Sequence, residues 1–145
     1  MVVGTMCRRR VATIESGETL GTAAHRMEED EVGTLMVVDP DEPDRAVGIL
    51  TDRDLALRCL ARRLDPDTTP VSEIMSSPVH TIDENAPVEF ALGEMAAAAS
   101  RRLVVTGKDG RVVGILSLDD LLGILCEQAT HLSMLLQKQR PLIGV

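Results

Sequence analysis

Val47-Gly48-Ile49-Leu50-Thr51-Asp52-Arg53-Asp54 is answered 66 positions later by Val113-Gly114-Ile115-Leu116-Ser117-Leu118-Asp119-Asp120. Each copy carries an apolar run containing a glycine, ends that run on a hydroxyl residue, and places an aspartate three residues further on. The run reads as a buried strand, and Thr51-x-x-Asp54 and Ser117-x-x-Asp120 have the spacing of a capping box. A strand therefore turns directly into a helix in both copies. The hydroxyl and the carboxylate satisfy free N–H groups at the helix start and suit its dipole. That account needs no ligand, but it is compatible with one. Free N–H groups at such a helix start also suit an anion. An aspartate there can accept from two vicinal hydroxyls, the logic of ribose recognition in dinucleotide folds.

Moving outward, Thr13-Ile14-Glu15 recurs as Thr81-Ile82-Asp83, 68 positions on, and at that offset Met27 matches Met95 and Leu35 matches Leu103. The fall from 68 to 66 places two extra residues in the first copy. We assign them to the acidic loop Asp39-Pro40-Asp41-Glu42-Pro43-Asp44, opposite Gly107-Lys108-Asp109-Gly110. Each copy then reads β-α-β-β-α. A short β stretch (Val11 to Ile14; Val79 to Ile82) precedes a helix (Leu20 to Glu29; Val88 to Ala98). The first helix has an apolar face of Leu20, Ala23, Ala24 and Met27, and Pro87 suits the start of the second. Two strands follow, Leu35 to Val38 with Ala46 to Leu50, and Leu103 to Val105 with Arg111 to Leu116, the second pair around an Asp109-Gly110 hairpin turn. A helix closes each copy, from Asp52 to Arg63 and from Leu118 onward. The expected organisation is a lead-in at 1–10, a first repeat at 11–63, a linker at 64–77, a second repeat at 78–126 and a helical extension at 127–145. One repeat of about 60 residues is marginal alone, so the fold class is α+β, with two repeats packed through their sheets around a pseudo-two-fold axis.

Composition limits the function. The 145 residues carry a net charge of −8 and Phe90 is the sole aromatic residue. The field repels phosphate backbones, and no aromatic platform is available for stacking bases. An anionic small molecule would need a local group of cations. No apolar run approaches the roughly 18 residues of a membrane span. The first ten residues place their arginines after a short apolar stretch, so no secretory leader is expected. Cys7, Cys59 and Cys126 form no CxxC pair, and a reducing cytoplasmic setting is expected.

The order β-α-β-β-α, the repeat length and the doubled Gly-apolar-Ser/Thr-x-x-Asp signature together resemble a tandem pair of CBS (cystathionine β-synthase) domains, a Bateman module, over about residues 5 to 126. The resemblance implies a non-catalytic regulatory module that binds an adenosine-type ligand (AMP, ADP, ATP or S-adenosylmethionine) in clefts between the repeats, requires no other cofactor, and forms a homodimer. It implies one cleft built from Thr51 and Asp54 with Thr81, Arg101, Arg102 and Leu103. The other combines Ser117 and Asp120 with Thr13, Gly33, Thr34 and Leu35. The aspartate would hold ribose hydroxyls and the Thr or Ser would approach a phosphate. In the first repeat the uncharged Gly33-Thr34 stand where Arg101-Arg102 stand in the second, so the Thr51/Asp54 cleft is expected to be the main site for a phosphorylated ligand. Arg101-Arg102 could equally be an exposed helix end. With no Tyr or Trp, adenine would lie between aliphatic walls: Ile82, Leu103 and Val104 in one cleft, Ile14, Leu35 and Met36 in the other.

Other features weigh less. His25, His80 and His131 lack metal-site spacing. Cys126 and His131 fall about 140° apart on a helix, so no metal site is expected. No nucleophile elbow or P-loop is present. Arg8-Arg9-Arg10 reads as a solvated run, from which Arg10 could reach the Ser117/Asp120 cleft. Leu118, Leu121, Leu125, Ala129, Leu132 and Leu136 form a near-heptad stripe running to about Gln139, before Pro141. It marks either packing on the chain's own core or a self-association helix. Two alternatives remain: a dimeric interaction module that binds no nucleotide and keeps the signatures only as caps, and a nucleic-acid-binding protein, against which the net charge argues. An effector protein acting in trans is expected but not identified.

Overall fold

The computed structural model describes residues 1–139. Two three-stranded sheets carry the chain's architecture. In the first, β1 (Thr13–Glu15) runs parallel to β2 (Thr34–Asp39), which pairs antiparallel with β3 (Glu42–Thr51). Helix α1 (Leu20–Glu29) makes the crossover. Helix α2 (Asp52–Asp54) leaves β3 and widens into a π-type stretch at Leu55–Leu60. The second sheet repeats the pattern with β4 (Thr81–Asp83), β5 (Arg102–Thr106) and β6 (Val112–Ser117), crossover helix α3 (Val88–Ala98) and closing helix α4 (Leu118–Gln139). The registers agree: Leu35 lies opposite Leu50 and Leu103 opposite Leu116.

Strand alternation sorts the side chains into three cores. Leu35, Val37 and Leu50 face α1 with Ile14, Leu20, Ala23 and Met27. Leu103, Val105 and Leu116 face α3 and α4 with Ile82, Ala91, Met95 and Leu121. The residues between them, Met36, Val38 and Val104, point the other way and meet Ile49, Ile115, Val11 and Val79 in a third core between the sheets. Burying an aliphatic side chain of this size contributes about 1.5–3 kcal/mol, so the inter-sheet core holds the repeats together as two layers.

The repetition begins earlier than β1. A 3₁₀ turn at Val3–Thr5 corresponds to one at Val71–Glu73, again 68 positions on. The two arms containing these turns are exchanged. Val71 and Ile74 lie in the core of the first sheet, whereas Val3 lies in the core of the second. Val71 N–H donates to Glu18 O at 2.8 Å, and Val3 N–H donates to Ala86 O at 2.9 Å. Each arm then runs along the edge of a sheet. Ser76 exchanges two hydrogen bonds with Ile49, and Arg8 exchanges two with Ile115. The signature glycines make room for this. A Cβ on Gly48 would strike Met75, and one on Gly114 would stand 2.6 Å from Arg8 O and 2.8 Å from Cys7 Sγ.

Four local expectations change. Ala24 is exposed, so the buried face of α1 is Leu20, Ala23 and Met27. The acidic segment Asp39 to Asp44 is not a loop: β3 begins at Glu42, and the extra residues are absorbed by irregular pairing around Val38 and Asp39. The helix after β3 stops at Leu60, and Arg63 takes a positive φ of 55°. In α4 Leu121 is buried and Leu118 packs partly buried against the second core, whereas Leu125, Leu132 and Leu136 are exposed, so the chain's own core accounts only for the start of the stripe. Positions 140–145 of the expected extension, Pro141 among them, lie outside the described residues. No described helix is long and apolar enough to cross a membrane.

Candidate functional site

Both signatures form complete capping boxes. Asp54 N–H donates to Thr51 Oγ1 at 3.1 Å, and Thr51 N–H donates to Asp54 Oδ2 at 3.0 Å. Asp120 N–H donates to Ser117 Oγ at 3.1 Å, and Asp120 Oδ2 accepts from Ser117 N–H at 3.1 Å and from its hydroxyl at 2.6 Å. The caps fix the two carboxylates at the mouths of two clefts between the repeats.

The first cleft, of about 470 Å³, is lined by Thr51 and Asp54 from one repeat and by Arg101 and Arg102 from the other. It falls within the range of about 300–1,000 Å³ typical of small-ligand sites. The second, of about 290 Å³, brings Ser117 and Asp120 together with Gly33 and Thr34. The clefts are related by the repeat itself. Val79 and His80 in the first stand where Val11 and Ala12 stand in the second, and Ile49 stands where Ile115 does.

Four expected contacts are not in the clefts. Leu103 and Leu35 are fully buried in the sheet–helix cores, because alternation turns their side chains away from the other repeat. Thr81 lines a separate cavity of about 550 Å³ beside the acidic hairpin, which holds neither capped carboxylate. Thr13 is exposed outside the second cleft. The expected adenine walls move with them. Ile82 and Ile14 sit in the sheet–helix cores, and Val104 and Met36 between the sheets. The aliphatic walls are instead Ile49, Met75, Pro78 and Val79 in the first cleft, and Val11, Ala12, Val32 and Ile115 in the second. Most of these come from the arms, whose place at the sheet edges could be found only by extending the 68-residue offset back to Val3.

Charge separates the clefts. Arg58, Arg101 and Arg102 line the first against the single carboxylate of Asp54. Arg58 extends from the turn after the signature, with Nε 3.8 Å from Asp54 Oδ1 and Nη1 donating to Ile74 O at 2.7 Å. The i, i+4 spacing of Asp54 and Arg58 was the available signal for it. The second cleft sets Arg8, Arg10 and Arg102 against Glu31, Asp119 and Asp120. Arg102 lines both clefts, and Arg101 pairs with Asp119 at 3.4 Å. Arg102 opens β5 and Arg101 immediately precedes it, so neither caps a helix end. Arg8, rather than Arg10, reaches the second carboxylate, with Nε 3.1 Å from Asp120 Oδ1. Burial pushes the Asp120 carboxyl up, but the Ser117 hydrogen bonds and the Arg8 guanidinium outweigh it and hold the group below the usual carboxylate range. Among the described residues, no group of three or more His, Cys, Asp or Glu side chains could hold a metal ion.

The model of the CBS domain matches this chain twice, over residues 3–60 and 71–127. An uncharacterized protein of Methanopyrus kandleri is 34% identical over 122 residues, which is 84% of this chain and 61% of that protein. A CBS domain protein of Pyrobaculum aerophilum, solved in complex with AMP, aligns with a TM-score of 0.77 at 32% identity, over 90% of this chain and 99% of its own. The CBS domain pair of protein MJ0100, in complex with 5′-methylthioadenosine and S-adenosyl-L-methionine, aligns with a TM-score of 0.76 at 25% identity, over 88% and 98%. With the doubled match, the two equivalent sheets and the paired clefts in agreement, the chain belongs to the CBS domain family, as a tandem pair.

Proposed function

We propose that this CBS pair is a non-catalytic regulatory module that binds an adenosine-type ligand, with the Thr51/Asp54 cleft as its principal site. The observation that carries the reading is the asymmetry of charge between equivalent clefts: Arg58, Arg101 and Arg102 line the first with one carboxylate, and three arginines line the second with three, Arg102 being shared and Arg101 also reaching Asp119. A phosphorylated ligand needs that local excess of cations in a chain of net charge −8. Asp54 supplies acceptors for vicinal hydroxyls, the arginines supply donors for phosphate oxygens, and the aliphatic walls enclose the base. The complexes of the Pyrobaculum protein with AMP and of MJ0100 with S-adenosyl-L-methionine support the ligand class.

A ligand there touches both repeats, so binding would bias their relative position and a partner protein would read the change. Homodimer formation is part of the reading, since Leu125, Leu132 and Leu136 of α4 and Leu57 and Leu60 after α2 are exposed. A cytoplasmic setting accords with three free cysteines. The test is calorimetric titration with AMP, ADP, ATP and S-adenosylmethionine, beside Asp54→Ala and Asp120→Ala. Saturable heat that Asp54→Ala removes is the expected result. Absence of heat from all four ligands, or full binding by a destabilised Asp54→Ala, would leave the signatures as caps alone.

A further inference from the structure

Arg8 and Ser76 occupy the same place in the two halves. Ser76 N–H donates to Ile49 O at 2.8 Å and Ile49 N–H to Ser76 O at 3.0 Å; Arg8 N–H donates to Ile115 O at 2.9 Å and Ile115 N–H to Arg8 O at 3.0 Å. Both backbones are pinned to the edge of a signature strand. What differs is the side chain. The first aspartate has one carboxylate oxygen, Asp54 Oδ1, whose cation partner Arg58 stands 3.8 Å away, beyond hydrogen-bond distance. At Asp120 both oxygens are engaged: Oδ2 by Ser117 and Oδ1 by Arg8 Nε at 3.1 Å. A hydroxyl pair can be accepted by Asp54 as it stands, but by Asp120 only after the guanidinium leaves. The Arg8 side chain is 75% exposed, so it can swing away while its backbone stays in place.

We propose that Arg8 is a specificity-determining residue of the second cleft, a tethered guanidinium that holds Asp120 until a ligand displaces it. A neutral nucleoside displaces Arg8 and gives it nothing in return. A ligand with an anionic group near its ribose gives the released guanidinium, still anchored beside the cleft, a new partner. The second cleft therefore ranks ligands by charge through an exchange that the first cleft does not require. The inference rests on the adenosine-type reading above and concerns the cleft that reading leaves secondary.

Ile49 lines only the first cleft and Ile115 only the second, so isoleucine δ1-methyl NMR reports on each separately. Adenosine and AMP are titrated into wild-type protein and Arg8→Gln, whose backbone pairing to Ile115 is retained. The expected result at Ile115 is tighter adenosine binding in Arg8→Gln, by about two- to fivefold on the scale of an exposed ion pair. The preference for AMP over adenosine should fall with it, while Ile49 reports no change. Unchanged affinities at Ile115, equal weakening of both ligands, or an Ile115 that never responds while Ile49 does, would overturn the inference and leave the first cleft's reading intact. Silence at both methyls would overturn that reading and the inference with it.

Discussion

Gly114→Ala tests the exchange of arms most directly. In its extended strand an alanine meets no backbone restriction, and the change by itself would stabilise by about 0.4–1 kcal/mol through the unfolded chain. The cost comes from the arm. The new Cβ would stand 2.6 Å from Arg8 O and 3.2 Å from Arg8 C, both backbone atoms that cannot rotate away, and 2.8 Å from Cys7 Sγ. Relief requires the arm to lift, which breaks the two Arg8–Ile115 hydrogen bonds. At about 0.5–1.5 kcal/mol each, and with the same order of cost if the strand overpacks instead, the gross loss is about 1–3 kcal/mol, and the gain of about 0.4–1 kcal/mol through the unfolded chain reduces it to a net loss of about 1.3 kcal/mol at the midpoints. Gly48→Ala is the internal control at the equivalent position. Its nearest neighbours are Met75 Sδ, Cγ and Cβ rather than backbone atoms; the sulfur can swing aside while Cβ at 3.1 Å must give slightly, and the expected cost is smaller than that of Gly114→Ala. Gly123, in α4 with nothing within 4 Å of a Cβ, should gain up to about 1 kcal/mol as alanine. The assay is urea unfolding followed by far-ultraviolet circular dichroism, because the chain has no Trp or Tyr for fluorescence. The reasoning is refuted if Gly114→Ala falls within about 0.5 kcal/mol of wild type, or if Gly48→Ala costs as much.

Two further outcomes follow from the same geometry. Leu121 is 2% exposed and Leu125, one turn on, is 47% exposed; Leu121→Ala should lower stability by about 2–5 kcal/mol, whereas Leu125→Ala should leave unfolding nearly unchanged and, on the proposed homodimer, weaken self-association as read by sedimentation equilibrium. Asp120 has a native pKa below its ordinary value, so its contribution is complete above the unfolded value of about 4 and fades as the pH falls through the lowered native one. The stability gap between wild type and Asp120→Asn should stay level from neutral pH to about 4 and close below it; a gap that widens in acid would contradict the assigned partners.

The fold was legible because periodicity and repetition agree. Gly48 and Gly114 in matched apolar runs, with Thr51-x-x-Asp54 and Ser117-x-x-Asp120 behind them, fix a strand-to-helix turn twice, and both caps form. The clefts were legible in part. A signature placed at a strand end names the carboxylates, but which face of the neighbouring strand meets them depends on register. Leu103 and Leu35 illustrate this: one position along, Arg102 and Thr34 line a cleft, and the leucines close a core. Arg8 was obscured for another reason. Its partner Asp120 lies 112 positions away, and no local pattern reports so distant a pairing.

The exchanged arms explain why the glycine belongs to the signature at all. Capping needs only the hydroxyl and the aspartate, and neither residue requires a glycine three positions before the cap. The glycine makes room for the arm that crosses the strand there, for its backbone at Gly114 and for the Met75 side chain at Gly48, and that arm supplies the other wall of the cleft: Ser76, Ser77, Pro78 and Val79 in one case, Arg8, Arg10 and Val11 in the other. Each arm also plugs a core, through Val71 and Ile74 on one side and Val3 on the other. The same few residues thus hold the repeats together and bound the clefts between them. A repeat without its arm would lose both a core plug and a cleft wall, so the smallest unit able to form either cleft is the pair.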